Sequence, residues 1–150
     1  MAEYRATVEW AGEGDFAGNR YSRAHLWLFD GGARVPASAS PAAVPPPLSD
    51  PAAVDPEEAL VASASSCHML WFLHRAREVG LTVTRYRDEA VAKMGKDERG
   101  RIAITRIVLR PRVEFAGAAP DEETLQRLHE AAHDSCFIAN TMRCEVVVDG

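Results

Sequence analysis

The chain has 150 residues, of which 47% are hydrophobic and 26% charged, and its formal net charge is -5. This composition is typical of a soluble globular protein and excludes a disordered or fibrous chain. The length fits one domain, residues 1–150. Because Lys and Arg form no stripe that would neutralise phosphates, nucleic acid is excluded as a partner.

The first residues, Met1–Trp10, lack the apolar core of a signal peptide, so we expect a cytoplasmic protein. The most apolar run, Ala59–Leu73, covers about 15 residues, short of the roughly 20 that a membrane span requires, so no membrane partner is expected. In a reducing compartment, the three cysteines are more often reactive, metal-binding or buried than permanently bridged.

The first part of the chain is predicted to contain two strands and a loop. Residues 3–10 alternate as a strand does, and Arg20–Phe29 runs into the turn Asp30-Gly-Gly, so the two are predicted to pair antiparallel. Residues 36–56 are dominated by Pro, Ala and Ser and predict a long surface loop. Such a loop is either a plain connector or a segment that shapes a site.

A helix is predicted to start after this loop. Asp55 suits the N-cap, Pro56 the first helical position, and Glu58 completes a capping box. The helix is expected to run to Gly80. The side chains of its first turns are apolar and small on nearly every face, which indicates a central helix with close packing on all sides.

The second part of the chain predicts a hairpin, a helix and a strand. Strand-like stretches at Thr82–Met94 and Ile102–Phe115 flank the polar turn of residues 95–100. A helix opens at Pro120, and a final strand covers Cys144–Asp149. Strands, helix, hairpin, helix and strand in this order indicate an α+β fold with a mostly antiparallel sheet.

Sulfur chemistry is the main functional signal of the sequence. Cys67 lies inside the apolar run, and Cys136 follows the second helix. A buried cysteine is often only a small apolar side chain, and its reactivity requires a cation or a helix N-terminus nearby. If the fold brings the two sulfurs together, they can cycle between dithiol and disulfide. Cys144 alternates with two valines and is expected in the core.

Zinc is a less favoured alternative for these cysteines. His133 and Cys136 lie one helical turn apart, and Cys67 precedes His68, which makes four nitrogen and sulfur ligands. Adjacent residues on a helix diverge by about 100°, so Cys67 and His68 would not face one ion. No metal or other cofactor is therefore expected. His25 and His129 have no spacing partner, and the pattern assigns them no role.

Glu57 is the third residue that we single out. Ten residues of continuous helix give roughly 15 Å of rise, so its carboxylate cannot touch the Cys67 sulfur along the same helix. Glu57 then either complements the helix dipole or orients an arginine toward a thiolate. In the second case the contact is made across a helix break or from a partner subunit.

Taken together, these segments resemble the OsmC/Ohr family, the osmotically inducible proteins C and the organic hydroperoxide resistance proteins. Asp55–Leu73 is similar to the family's Pro-Glu helix start with a reactive cysteine ten positions later, and Ala132–Asn140 is similar to its Ala-His-x-x-Cys-x-x-x-Asn motif. Gly18–Ala24 is similar to the family's Gly-x-Arg-x-x-Arg-Ala stretch. The string that follows Cys67 looks more like the OsmC-like branch.

This resemblance implies a fold, a site and partners. The fold would have antiparallel sheets wrapped around a long central helix in an intertwined homodimer. Cys67 would be the peroxidatic and Cys136 the resolving cysteine, with Arg20, or Arg23 as the alternative, and Glu57 activating Cys67 and orienting the peroxide. The implied activity is the reduction of organic hydroperoxides, with hydrogen peroxide as a second implied substrate. The reductant would be a lipoyl-type or other dithiol, and no cofactor is implied.

A rival hypothesis places the same scaffold in another class. In it the protein is a non-enzymatic module that binds a small apolar molecule in a pocket beneath the Pro-rich loop, and the thiols are incidental. Fold alone does not separate the two hypotheses, because one scaffold can carry different functions.

Overall fold

A computed structural model of the chain describes residues 1–149. The chain forms two compact units, Met1–Ala59 and the part that begins at Leu60. The first unit contains five strands: β1 (Ala6–Glu9), β2 (Gly14–Asp15), β3 (Arg20–Tyr21), β4 (His25–Phe29) and β5 (Arg34–Ala37).

The N-terminal unit holds a three-stranded antiparallel sheet in the order β1-β4-β5. The predicted pairing of the first two strands is confirmed, with Ala6 opposite Phe29. The single strand predicted over residues 20–29 is wrong, because the chain breaks into β3 and β4, and β3 pairs with β2 instead. Gly14 permits this small hairpin, since a Cβ there would lie 2.4 Å from the carbonyl oxygen of Arg20.

The Pro-rich segment is a turn-rich loop with joined ends. The amide of Ser38 donates to the carbonyl of Val54 at 3.0 Å, and the amide of Val54 donates to the carbonyl of Pro36 at 3.0 Å. Inside the loop, the Ser38 hydroxyl accepts the amide of Asp50 at 2.9 Å. These bonds tie a long segment to the end of β5, so the loop has a defined shape.

The long helix α1 (Pro56–Glu78) begins as predicted. The Asp55 carboxylate accepts the amide of Glu58 at 2.8 Å, and the Glu58 carboxylate accepts the amide of Asp55 at 3.2 Å, which confirms the capping box. Gly80, with φ of 80°, follows the helix in the left-handed conformation. The predicted packing on all sides is absent from this single chain, in which Leu70 is 60% exposed.

The second unit carries the remaining elements: β6 (Val83–Asp88), β7 (Val91–Lys96), β8 (Ile102–Leu109), β9 (Pro111–Phe115), α2 (Glu122–Ser135), α3 (Phe137–Thr141) and β10 (Glu145–Val148). β6 pairs with β9 and β7 with β8, both antiparallel, which confirms the long hairpin in two sections. β10 runs parallel to β8. The short helix α3 was not predicted, because it covers less than two turns.

Two buried clusters of residues form the core of the second unit. One joins α1 to β8 and β10 through Ala64, Ile107, Leu109 and Val146, and partly buried Cys144 packs on it as expected. The other joins α1 to α2 through Phe72, Ala76, Leu128 and Ala132. The fold is α+β, as predicted.

Candidate active site

The structure brings together the two cysteines that the sequence singles out. Cys67 lies in the middle of α1 and is partly buried, whereas Cys136 is 1% exposed. Both are free thiols, and the Cys67 thiol lies near enough to the Cys136 thiol to raise its pKa. A pair of thiols so close can form a disulfide and be reduced again.

A break between two helices positions Cys136. The residue is the C-cap of α2 and the N-cap of α3, with extended backbone. Its amide donates to the carbonyl of His133 at 3.1 Å, and its sulfur accepts the amide of Ala139 at 3.4 Å. Next to it, Phe137 meets Trp71 of α1 edge-on at 5.4 Å between ring centroids. The cysteine is therefore held from both sides of the break.

Burial controls the protonation of this cysteine. Burial raises the pKa of the Cys136 thiol, the neighbouring Cys67 thiol raises it further, and the amide of Ala139 offsets part of the effect. At neutral pH, Cys136 is therefore a protonated thiol, which can give its proton to a leaving group as it reacts.

Two histidines that the sequence left without a shared role meet beside these cysteines. Nε2 of buried His68, on α1, lies 3.0 Å from Nδ1 of His129, on α2. Sequence spacing does not reveal this pair, because its members lie on different helices and 61 positions apart. The structure thus gives His129 a contact partner that its spacing did not predict.

The structure places Arg20 and Arg23 differently. The Arg20 guanidinium, in the β2–β3 hairpin, pairs with the Asp15 carboxylate at 2.5 Å, and the side chain is 73% exposed. Arg23 donates to the carbonyl of Tyr21 at 2.6 Å and to the side-chain oxygen of Asn19 at 2.7 Å. Its guanidinium carbon lies 3.6 Å from the centroid of the Tyr21 ring. Arg23 is the more rigidly held of the two arginines.

Arg23 also lines an open cavity of about 440 Å³ at the surface of the N-terminal unit. Both ends of the Pro-rich loop reach this cavity, through Ser38 and Pro56. Its walls are mostly aromatic and apolar, with Val8, Trp10, Phe16, Tyr21 and His25. His25 is fixed there, because Nδ1 bonds the carbonyl of Arg23 at 2.7 Å and Nε2 accepts the indole N–H of Trp27 at 3.1 Å.

Glu57 lies in the first turn of α1, with an exposed side chain. The neighbouring Glu58, not Glu57, makes the capping box. Since α1 is continuous from Pro56 to Glu78, the helix break that would let Glu57 reach Cys67 within one chain does not exist. A partner subunit is then the remaining route by which Glu57 could reach Cys67.

Two further kinds of site are a metal centre and a membrane-spanning helix. Among residues 1–149, no group of three or more His, Cys, Asp or Glu side chains is arranged to hold a metal ion. In the same part of the chain, none of the helices combines the length and the apolarity needed to cross a bilayer.

The fold and the paired thiols define an α+β protein with two neighbouring free cysteines, and comparison with known proteins supplies its family. Residues 49–149 match the model of the family described as OsmC-like protein. The chain belongs to the OsmC-like family. Comparison with functionally curated proteins gives no match.

Solved structures agree with this assignment. An OsmC-like protein of unknown function from Vibrio cholerae is 49% identical, with 99% of both chains covered and a TM-score of 0.97. An organic hydroperoxide resistance protein from Elizabethkingia anophelis is 17% identical, with 99% of this chain and 98% of that chain covered and a TM-score of 0.69. The organic hydroperoxide resistance protein OhrB of Bacillus subtilis is 21% identical, with 97% of both chains covered and a TM-score of 0.62. The latter two share the fold.

Proposed function

We propose that the protein is a thiol peroxidase that reduces organic hydroperoxides, with Cys67 as the peroxidatic and Cys136 as the resolving cysteine. The observation that carries this proposal is that the two free thiols are neighbours, one partly exposed and the other buried. Family membership supports it, since some proteins of the same fold are named organic hydroperoxide resistance proteins.

The reaction is built from two displacements at sulfur and oxygen. The Cys67 thiolate attacks one oxygen of the hydroperoxide, the O–O bond breaks, and the alkoxide leaves and takes up a proton as an alcohol. Cys67 is left as a sulfenic acid. The Cys136 sulfur then attacks the Cys67 sulfur, its proton leaves with the hydroxyl group as water, and a disulfide forms. A dithiol returns two electrons and two protons and becomes a disulfide itself.

The buried thiol suits the second displacement. Because burial keeps Cys136 protonated, it does not compete with Cys67 for the peroxide, and its proton is available where hydroxide must leave. Cys67 is the more accessible of the two sulfurs. The division of labour follows from this difference in burial.

An arginine and Glu57 complete the proposed site. The resemblance assigns Arg20 to this role, with Arg23 as the alternative, and the Asp15 partner of Arg20 is exposed enough to release it. Comparison of peroxide turnover in the Arg20→Ala and Arg23→Ala variants identifies the arginine that acts on Cys67. We expect kcat/KM to fall at least tenfold in one of the two variants. Unchanged turnover in both would remove arginine from the mechanism.

A homodimer is the proposed assembly. In the described chain, α1 leaves Leu70 60% exposed, and Phe137, next to Cys136, is 66% exposed. Large apolar side chains so close to a reactive centre are typical of a surface covered by another subunit. A partner subunit would also supply the route by which Glu57 acts on Cys67.

The direct test of the proposed activity is turnover of cumene hydroperoxide with a dithiol reductant. We expect Cys67→Ser to abolish it, because the nucleophile is lost. The matched control is Cys144→Ser, which removes the third thiol from the core and leaves turnover within about twofold. Undiminished turnover in Cys67→Ser contradicts the proposal.

The cavity of the N-terminal unit favours a second candidate function, the binding of a small apolar molecule. Its aromatic lining and size suit such a ligand. If binding is the function, a Cys67→Ser and Cys136→Ser double variant binds apolar ligands as well as the unmodified protein, with quenching of Trp10 fluorescence. Absence of any peroxide turnover together with such binding would favour this candidate.

A further inference from the structure

The His68–His129 pair is a buried directional bond in a mostly apolar contact between two helices. The rings are within 9° of parallel, with centroids 5.3 Å apart and the nearest nitrogens 3.0 Å apart. At these distances the rings lie edge to edge rather than face to face. Nε2 of His68 and Nδ1 of His129 therefore share one proton in a hydrogen bond.

The surroundings of the pair keep it neutral and fixed. His68 is 1% exposed, and His129 stacks on Phe72 at 4.4 Å between ring centroids. Burial is the main reason why the pKa of each histidine is lowered to about 4. Nδ1 of His68 is buried and, within residues 1–149, has no hydrogen-bond partner. The bond to His129 is thus the one polar contact that the ring of this buried residue makes in the described chain.

The pair connects the two segments that carry the cysteines. His68 directly follows Cys67 on α1, and His129 precedes Cys136 by seven residues, about two turns of α2. Apolar packing of small side chains fixes the distance between helices better than their axial register, because it has no direction. A hydrogen bond between two short, rigid rings fixes the register as well.

A second bond supports the same register at the other end of the contact. Nη2 of Arg75, on α1, donates to the hydroxyl of Ser135 at 2.9 Å, directly before Cys136. This bond is made by a long side chain that also pairs with Glu78, so it tolerates more movement than the buried pair does.

We propose that His68 and His129 are a positioning pair, whose hydrogen bond holds α1 and α2 in the register that keeps the Cys67 and Cys136 thiols within reach of each other. The pair touches no substrate and acts through the two helices. A role of the pair in turnover rests on the proposed function, since the pair would serve the step in which Cys136 closes the disulfide with Cys67.

The experiment measures how readily the two thiols join when peroxide is absent. Oxidised dithiothreitol takes two electrons and two protons from Cys67 and Cys136, so the protein gains the disulfide and the reagent becomes the dithiol. The equilibrium constant of this exchange gives the effective concentration of the two protein thiols, which measures how readily one thiol meets the other. We expect His129→Leu to lower this value at least tenfold.

Two control variants separate positioning from general stability. In His129→Asn, a side-chain atom near the position of Nδ1 can still bond to His68, so the effective concentration is expected within threefold of the unmodified protein. Leu128→Ala opens a cavity in the same helix contact without removing the bond, and it too is expected within threefold. Should His129→Leu fail to fold, His129→Gln takes its place, with at least a threefold loss expected.

Two results would overturn the proposal. One is an effective concentration in His129→Leu, or in its replacement, within threefold of the unmodified protein. The other is an equal loss in Leu128→Ala. If the unmodified protein forms the disulfide with dithiothreitol but not with a hydroperoxide, the peroxidase proposal fails and the positioning pair stands.

Discussion

At the scale of single residues, burial distinguishes the two cysteines. Cys136 is buried and protonated, and Cys67 is partly exposed. The roles of the two residues were predicted from two separate motifs, Asp55–Leu73 and Ala132–Asn140, whereas the proximity of the thiols depends on how α1 and α2 pack. Helical spacing alone predicts neither the proximity of the two thiols nor the His68–His129 bond.

Removal of the resolving cysteine is expected to divide the reaction into its two steps. Cys136→Ser keeps Cys67, so one equivalent of hydroperoxide is still consumed, but no second thiol is available to close the disulfide. We expect a Cys67 sulfenic acid that a dimedone adduct traps and mass spectrometry detects, together with at least a tenfold loss of steady-state turnover. A Cys136→Ser variant that turns over at the normal rate would show that Cys136 is not the resolving thiol.

At the scale of elements, sequence reasoning succeeded where local chemistry decides and failed where tertiary contacts decide. The capping box of α1 and the start of α2 after Pro120 follow from the side chains present. The break of residues 20–29 into two strands does not, because it depends on distant partners such as the Leu48 carbonyl, which accepts the amide of Arg23 at 2.8 Å. Arg20 and Arg23 therefore lie in surroundings that their spacing could not predict.

The start of α1 is expected to be a measurable source of stability. Asp55→Ala removes the side-chain acceptor for the amide of Glu58, and we expect the free energy of unfolding in urea to fall by about 1 kcal/mol. Asp121→Ala, which removes the corresponding cap of α2, is the matched variant and is expected to cost a similar amount. No loss in either variant would contradict the role of these caps.

The contact between α1 and α2 is expected to weaken in acid. The pKa values of His68 and His129 are lowered to about 4 from 6.5, mainly by burial; His129 and His133 add to the lowering at His68, and Asp88 opposes it at His129. Between these pH values the unfolded chain binds more protons than the folded chain. The stability is therefore complete above pH 6.5 and falls as the pH drops toward 4.

The size of this pH effect is on the order of 3 kcal/mol, most of it from buried His68, because the contribution of the partly exposed His129 is discounted. Urea unfolding at several pH values between 7 and 4 measures it. His129→Leu should have a shallower dependence than the unmodified protein, since one of the two groups is gone. Equal pH dependence in both proteins would show that the histidines do not cause the effect.

At the scale of the whole molecule, the proposed site requires a second subunit. The sequence predicted close packing on all sides of α1, and the single chain leaves Leu70 largely exposed. The proposed homodimer would explain this difference, since a face that another copy covers is apolar in the sequence but exposed in the structure of one chain.

Introduction of a charge on this face is expected to separate the subunits. Leu70→Glu would place a carboxylate in an apolar interface, and we expect it to convert a dimer into a monomer in analytical ultracentrifugation and to lower turnover at least tenfold. Met94→Glu, at another largely exposed apolar position, is the matched control and should change neither property. A monomeric unmodified protein with full activity would refute the dimer.

The central claim is that Cys67 and Cys136 form the redox pair. The direct measurement is peptide mass mapping of the reduced protein after one equivalent of cumene hydroperoxide. The account predicts the loss of two hydrogens in a single peptide pair that joins Cys67 to Cys136, with Cys144 unmodified. A chain that keeps all three thiols, or a disulfide that includes Cys144, would contradict it.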